Sequence, residues 1–321
     1  MPAVTIRHAP QPAATTGRRR RTPLTALAAR LTPRDLWLLD MLAEHTVLTT
    51  HHITALAFTG RRSANRRLHA LHQLGLLDSF RIRQPIGSGP EHYVLGHLGA
   101  QVLAARHATT PQALGWHTDQ AGRVAYHPEL AHDTGATGFL ADYAADGQLD
   151  AWWGPARCAR AWGDLARPDA YARHVPTSDK GEAVGFFLEY DTGTEPLTRL
   201  AAKLDDYAEL ARATATRPLV LFTLHSHRRE AHLHQRLAGH PALTDITVAT
   251  SSRDTHDSAP DAAWLPVALP SHRAPLTELA RLWPDSPVTD PGQAVSDTHL
   301  LPAPTPLPPK DVDAQPLLRN T

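Results

Sequence analysis

The sequence predicts an α/β protein of two domains, a small helix-rich unit closed by a β-hairpin and a larger unit built on a mixed sheet. Three observations predict it. The 321 residues suffice for about two domains of ordinary size. Helical apolar spacing fills residues 32–77 and gives way to alternating residues around a Gly-Pro turn. Beyond residue 183, short apolar runs alternate with amphipathic stretches, the signature of parallel strands joined by helices.

Each element has its own warrant. Residues 1–30 are rich in Pro, Ala, Thr and Arg, a composition that cannot bury enough apolar surface to order itself, and read as a disordered basic arm. In LTPRDLWLLDMLAEH, Thr32 suits an N-cap and Pro33 the first helical position, with Leu36, Leu39 and Leu42 on one face. Ile53, Leu56 and Ala57 repeat the pattern behind Thr49 or Thr50. Ala64, Leu68 and Leu71 line a third helix that Gly75 ends. Phe80 and Ile82 then alternate with Arg81 and Arg83, and the turn Gly87–Pro90 leads to a second strand at His92–Leu95. A helix over His97–His107 closes the unit. Three helices, a hairpin and a helix are the order of a winged helix-turn-helix, over residues 31–107.

Residues 108–126 read as a linker, and His127–Ala145 as a weaker helix. The segment 149–165 carries Trp152, Trp153 and Trp162, read as core or docking aromatics rather than base-stacking residues. Ala166–His174 and Ala183–Asp191 read as strands around a polar turn, Thr177–Glu182. A helix follows over Pro196–Ala211, then a strand at Pro218–Leu224, a helix at His227–His240 and a strand at Asp245–Ser251. Strand–helix–strand–helix–strand implies parallel pairing with right-handed crossovers. This domain spans 127–283. The tail, 284–321, holds 9 of the 28 Pro and shows no period.

Net charge is zero, but unevenly so. Residues 1–107 carry 14 Arg, no Lys and 5 acidic residues, which leaves the remainder acidic. One end is therefore suited to a polyanion. Cys158 is the only cysteine, so intramolecular disulfides and thiolate zinc sites are excluded. No apolar run spans a bilayer, and the cluster Arg18–Arg21 has no apolar core after it, so a cytoplasmic protein without membrane partners is expected.

On the third helix, Arg62, Asn65, Arg66 and His69 lie opposite Ala64, Leu68 and Leu71. Arg can bond guanine and Asn adenine in the major groove of double-stranded DNA. Arg61, Arg67, Arg81 and Arg83 are positioned to contact phosphates. The competing reading is a solvated basic face on a protein-interaction module.

Carboxylates crowd the stretch GFFLEYDTGTEP, where the apolar run ends in Glu189, Asp191 and Glu195. Asp169, after Pro168, lies on the preceding strand. Two acids from neighbouring strands can converge at one sheet end and hold Mg²⁺, with Asp191 as a further metal candidate. Metal would activate water, and Lys203 would offset the charge of the reacting phosphate. Against this stands a plain turn at Asp191–Thr194, with Lys203 paired to Asp206 or Glu209. His127 with His132, His225 with His227, and His232 with His234 could seed a metal site, but surface histidines are the better reading in a chain with 21 of them.

The carboxylate arrangement resembles the PD-(D/E)xK nuclease superfamily over residues 127–251, which implies a restriction-endonuclease-like α/β domain with Asp169, Glu189 and Lys203 as catalytic residues. That family's Lys stands two residues after the Glu. Here Asp191 occupies the position, and Lys203 on the next helix takes its role. Taken together, LTPRDLWLLDMLAEHTVLTTHHITALAF, RRSANRRLHALHQLGLL and RPDAY…FFLEYDTGTEPLTRLAAKLDDYAEL resemble the replication-relaxation family of actinobacterial plasmids and mobile elements. The resemblance implies a DNA-binding protein that assists replication or transfer, alongside replication or conjugation proteins, while the nuclease-superfamily resemblance adds Mg²⁺-dependent nicking or cleavage at the nuclease-like site. The alternative is a non-enzymatic transcription or replication regulator with an inactive nuclease-like domain.

Overall fold

The computed structural model describes residues 3–9, 27, 30–84, 87, 89–176, 182–258, 263–267, 269, 272–283, 287–295 and 301–310. Among these residues it is a mixed α/β structure with two sheets, one antiparallel and one mixed. The chain divides into two units, residues 3–130 with 301–310 and residues 131–295. Among the described residues no helix is long and apolar enough to cross a membrane.

In the first unit, α1 (Pro33–His45) starts where expected. Thr32 caps it by accepting from the Asp35 amide, and the Asp35 carboxylate accepts from the Thr32 amide at 2.7 Å. The strand β2 (Leu48–Thr49) leads into α2 (Thr50–Ala57), capped by Thr49. After Phe58–Gly60 comes α3 (Arg61–Gln73), whose Ala64, Leu68 and Leu71 are fully buried. Gly75 follows with a φ of +77°, the left-handed geometry that glycine accepts most readily. The hairpin is β3 (Leu77–Ile82) with β4 (Glu91–Leu95), and α4 (His97–Arg106) closes the run. Ser88 of the expected Gly87–Pro90 turn lies outside the described residues.

Two segments differ from the sequence reading. Val4–Arg7, inside the expected disordered arm, forms β1 and pairs antiparallel with β3, extending the sheet to the order β1-β3-β4-β2. Four residues of alternation are too short a signal against the surrounding composition. Gln120–Ala125, inside the expected linker, forms α5, and its Ala121, Val124 and Ala125 pack on Val47, Phe80 and Val94. A six-residue helix whose apolar side chains are two alanines and one valine has almost no hydrophobic period to read.

The second unit carries a six-stranded sheet of order β10-β9-β8-β7-β6-β5. Its elements are α6 (Leu130–Ala145), β5 (Leu149–Trp153), α7 (Pro155–Trp162), β6 (Ala170–His174), β7 (Val184–Tyr190), α8 (Leu197–Thr214), β8 (Leu219–Leu224), α9 (His227–Leu237), β9 (Thr247–Ser252), α10 (Arg253–Ser258), β10 (Leu265–Pro266) and α11 (Leu276–Leu279). As the apolar runs predict, β7, β8 and β9 are parallel and joined through α8 and α9, while β5, β6 and β7 are antiparallel. The turn expected at Thr177–Glu182 lies outside the described residues apart from Glu182. One sheet face packs Phe187, Val220, Phe222 and Val248 against Leu200, Leu204, Leu233 and Leu237. Of the aromatics read as core or docking residues, Trp162 joins this core, Trp153 packs partly buried against it, and Trp152 is also buried. Each buried Leu or Phe contributes ~1.5–3 kcal/mol of transfer free energy.

Candidate functional site

Strand register assembles the carboxylates. Ala170 pairs with Leu188 and Tyr171 with Phe187. One step further along the same register brings Asp169 opposite Glu189, on the face that carries Tyr171 and Phe187. That face is covered by α8, and residues four apart on a helix share a side, so Lys203 and Tyr207 both descend on Glu189.

Glu189 is 2% exposed. Its Oε2 accepts from Lys203 Nζ at 2.5 Å, and its Oε1 accepts from the Tyr207 hydroxyl. Burial, then the neighbouring Asp169 charge, pushes its carboxyl up to about 7 against the pull of Lys203 and Tyr207. Burial alone would lower the Lys203 ammonium. The Glu189 and Asp169 carboxylates overcome that and hold it above its ordinary value. Asp169 Oδ2 accepts from the Tyr190 amide at 2.7 Å and lies 3.1 Å from His132 Nε2 on α6. For His132, burial lowers the imidazole, but bonds to Asp133 and Asp169 outweigh it and raise it to about 10. Beside Lys203 opens a cleft of about 230 Å³, lined also by Arg167, Glu189, Asp206 and Tyr207.

Asp191 is turned to a different task. Arg229 on α9 binds both its carboxylate oxygens, at 2.5 and 2.9 Å, and also reaches the Glu195 carbonyl. His225 Nδ1 stands 3.6 Å from the same carboxylate. Three of the predicted acidic and basic residues, Asp169, Glu189 and Lys203, are thus brought together, and Asp191 is engaged by Arg229.

Protein donors already engage most of these carboxylate oxygens, and a divalent cation would have to share or displace them. Mg²⁺ demands a near-ideal octahedron of oxygens. Here both Glu189 oxygens and both Asp191 oxygens already accept from side-chain donors. Among the described residues no group of three or more His, Cys, Asp or Glu side chains stands in metal-holding proximity.

Sequence reasoning missed Tyr207 and Arg229 as partners of Glu189 and Asp191. The only signal at Tyr207 is its helical spacing, four residues after Lys203 on α8. The fold pairs His132 with Asp169, not with His127.

In the first unit, α3 presents Arg61, Arg62, Asn65, Arg66 and His69 to solvent. Arg83 is also exposed. Arg67 and Arg81 are not free cations of that surface. Arg67 Nε donates to buried Asp35 at 2.7 Å, and Arg81 Nε donates to Glu91 at 2.9 Å. Their spacing from the exposed arginines carries no sign of these partners, which come from α1 and β4.

A family model described as replication-relaxation matches residues 39–223, more than half of the chain. No curated protein and no solved structure matches it.

Proposed function

The chain belongs to the replication-relaxation family, and from that premise we propose that it is a DNA-binding protein assisting replication or transfer of a plasmid or other mobile element. In this reading the first unit is a winged helix-turn-helix. Its α3 enters the major groove, and the β3–β4 hairpin with Arg83 lies along the backbone. The observation that carries the reading is the division of α3. Ala64, Leu68 and Leu71 are fully buried, while Arg61, Arg62, Asn65, Arg66 and His69 are all exposed. An exposed helix face with three Arg, an Asn and a His, and with no acid among them, is costly to self-repulsion unless it meets a polyanion.

The second unit is read as a nuclease-like domain that binds without cutting. Support comes from the Glu189 carboxylate, whose oxygens are committed to Lys203 and Tyr207. Mg²⁺-dependent nicking is the second reading, favoured by the convergence of Asp169, Glu189 and Lys203 beside a cleft.

One set of assays tests both. Fluorescence anisotropy with labelled duplex should show salt-dependent binding. Arg62→Ala with Arg66→Ala should lower the slope of log K against log salt by about 1 for each phosphate no longer neutralised. Unchanged affinity and slope would refute the α3 assignment. Supercoiled plasmid incubated with Mg²⁺ or Mn²⁺ should stay intact. Nicking that disappears in both Asp169→Ala and Glu189→Ala would establish the enzymatic reading instead.

A further inference from the structure

Helix α1 is buried on two opposite sides. Leu39 and Leu42 face the unit's core, and α1 packs on α4 and β4. Trp37 and Met41 form a second stripe, roughly 200° around the helix from Leu39 at ~100° per residue. Both are buried, Trp37 at 4% and Met41 at 1%. A surface helix ordinarily needs one apolar stripe, and a second one requires a second cover.

At Trp37 that cover is the chain's own proline-rich segment, residues 301–310, LPAPTPLPPK. Trp37 Nε1 donates to the Thr305 carbonyl at 2.8 Å, across 268 residues of sequence. Pro306 is buried, and Ala303, Pro304, Leu307 and Pro308 are half-buried. Among the described residues this segment belongs to no helix or strand. Its composition suits the contact. Proline cannot donate, so the carbonyls of such a segment stay free to accept, and the chain is stiff before it docks. An indole N–H over an apolar stripe, bonded to a carbonyl of a proline-rich segment, is the chemistry by which aromatic grooves read polyproline peptides.

The geometry points to a proline-rich-peptide receptor on the Trp37–Met41 face of α1, occupied in cis by residues 301–310. The tail is a ligand whose Thr305 carbonyl accepts from the Trp37 side chain, so its removal opens a site for peptides of the same chemistry.

The test uses a fluorescein-labelled peptide of residues 301–310, titrated by anisotropy onto the chain ending at Val295 and onto the full chain. The shortened chain should bind it saturably and the full chain at least tenfold more weakly. Trp37→Phe in the shortened chain, which keeps the ring packing and removes the donor, should weaken binding about tenfold, the equivalent of ~1.4 kcal/mol. A shortened chain that melts cooperatively yet does not bind, or equal binding by Trp37→Phe, overturns the proposal. If the shortened chain fails to fold, hydrogen exchange decides within the full chain: Pro306→Glu should speed exchange of the Trp37 indole N–H at least tenfold, and an unchanged rate overturns the assignment. Dimers that form with the peptide-competable tail placed on a second copy would overturn the cis occupancy.

Discussion

Replacing Lys203 with Met removes the cation that faces Glu189 in the interior of the second unit. The side chains are of similar length, so packing is retained and the charge disappears. Removing one member of a buried ion pair costs ~3–5 kcal/mol. The Lys203 side chain keeps 27% of its exposure, so the lower end applies, about 3 kcal/mol. The cost should depend on pH in a defined direction. The folded Glu189 carboxyl is raised from 4.5 to about 7. A raised acid contributes stability that is complete below the unfolded value and lost as pH climbs through the folded one. Without Lys203 the folded value rises further, and the loss continues to higher pH. A penalty of about 3 kcal/mol corresponds to about two pKa units at ~1.36 kcal/mol each. Near pH 5, where Glu189 is protonated in both proteins, the penalty should fall below about 1 kcal/mol, and above about pH 9, two units beyond the folded value of about 7, it should be complete. Urea unfolding followed by circular dichroism at both pH values measures it. Adding Glu189→Gln should flatten the difference. An equal penalty at both pH values would refute the argument, because it would mean that Lys203 stabilises by packing and that Glu189 does not titrate in this range.

Three further outcomes follow from other contacts. Arg67→Ala should cost ~3–5 kcal/mol in thermal unfolding because it strands the carboxylate of Asp35, which is 2% exposed, whereas Arg62→Ala should stay within ~0.5 kcal/mol. Gly135→Ala should destabilise by ~1–3 kcal/mol, since a Cβ there would stand 2.5 Å from the Tyr190 ring; chemical denaturation checks it, and a neutral result would mean that α6 shifts freely. His52 is lowered from 6.5 to about 4 by burial and then by His92, His51 and His45. Its contribution is therefore present above about 6.5 and lost as pH falls through about 4, so His52→Gln should flatten the acid limb of the stability curve, measured by melts across that range.

The legible part of this protein was its linear order. Caps at Thr32 and Thr49, the glycine after α3 and the apolar runs of β7, β8 and β9 each declare themselves within a few residues, and the structure builds helices and strands there. So does the meeting of Asp169 with Glu189, because an antiparallel pair with known strands has few registers that keep Tyr171 and Phe187 inside. The illegible elements are the weak ones, β1 and α5, whose apolar residues are too few to set a period and which form only against Phe80 and Ile82.

By itself, then, the amino-acid order determined which residues are apolar together, where each helix can begin and stop, and that acids and a lysine gather near one strand end. It also separated the arginine-rich third from the acidic remainder. Only the tertiary structure decided the partners. Lys203 and Tyr207 meet Glu189 across 14 and 18 residues, Arg229 meets Asp191 across 38, and His132 meets Asp169 across 37. The physical reason is that hydrophobic period is a local property of a chain, fixed by helical and strand geometry. The choice of counter-ion instead depends on how far each crossover helix slides along the sheet before its core closes. A buried carboxylate takes whichever donor that packing delivers, and here packing delivers Lys203 to Glu189, Arg229 to Asp191 and His132 to Asp169.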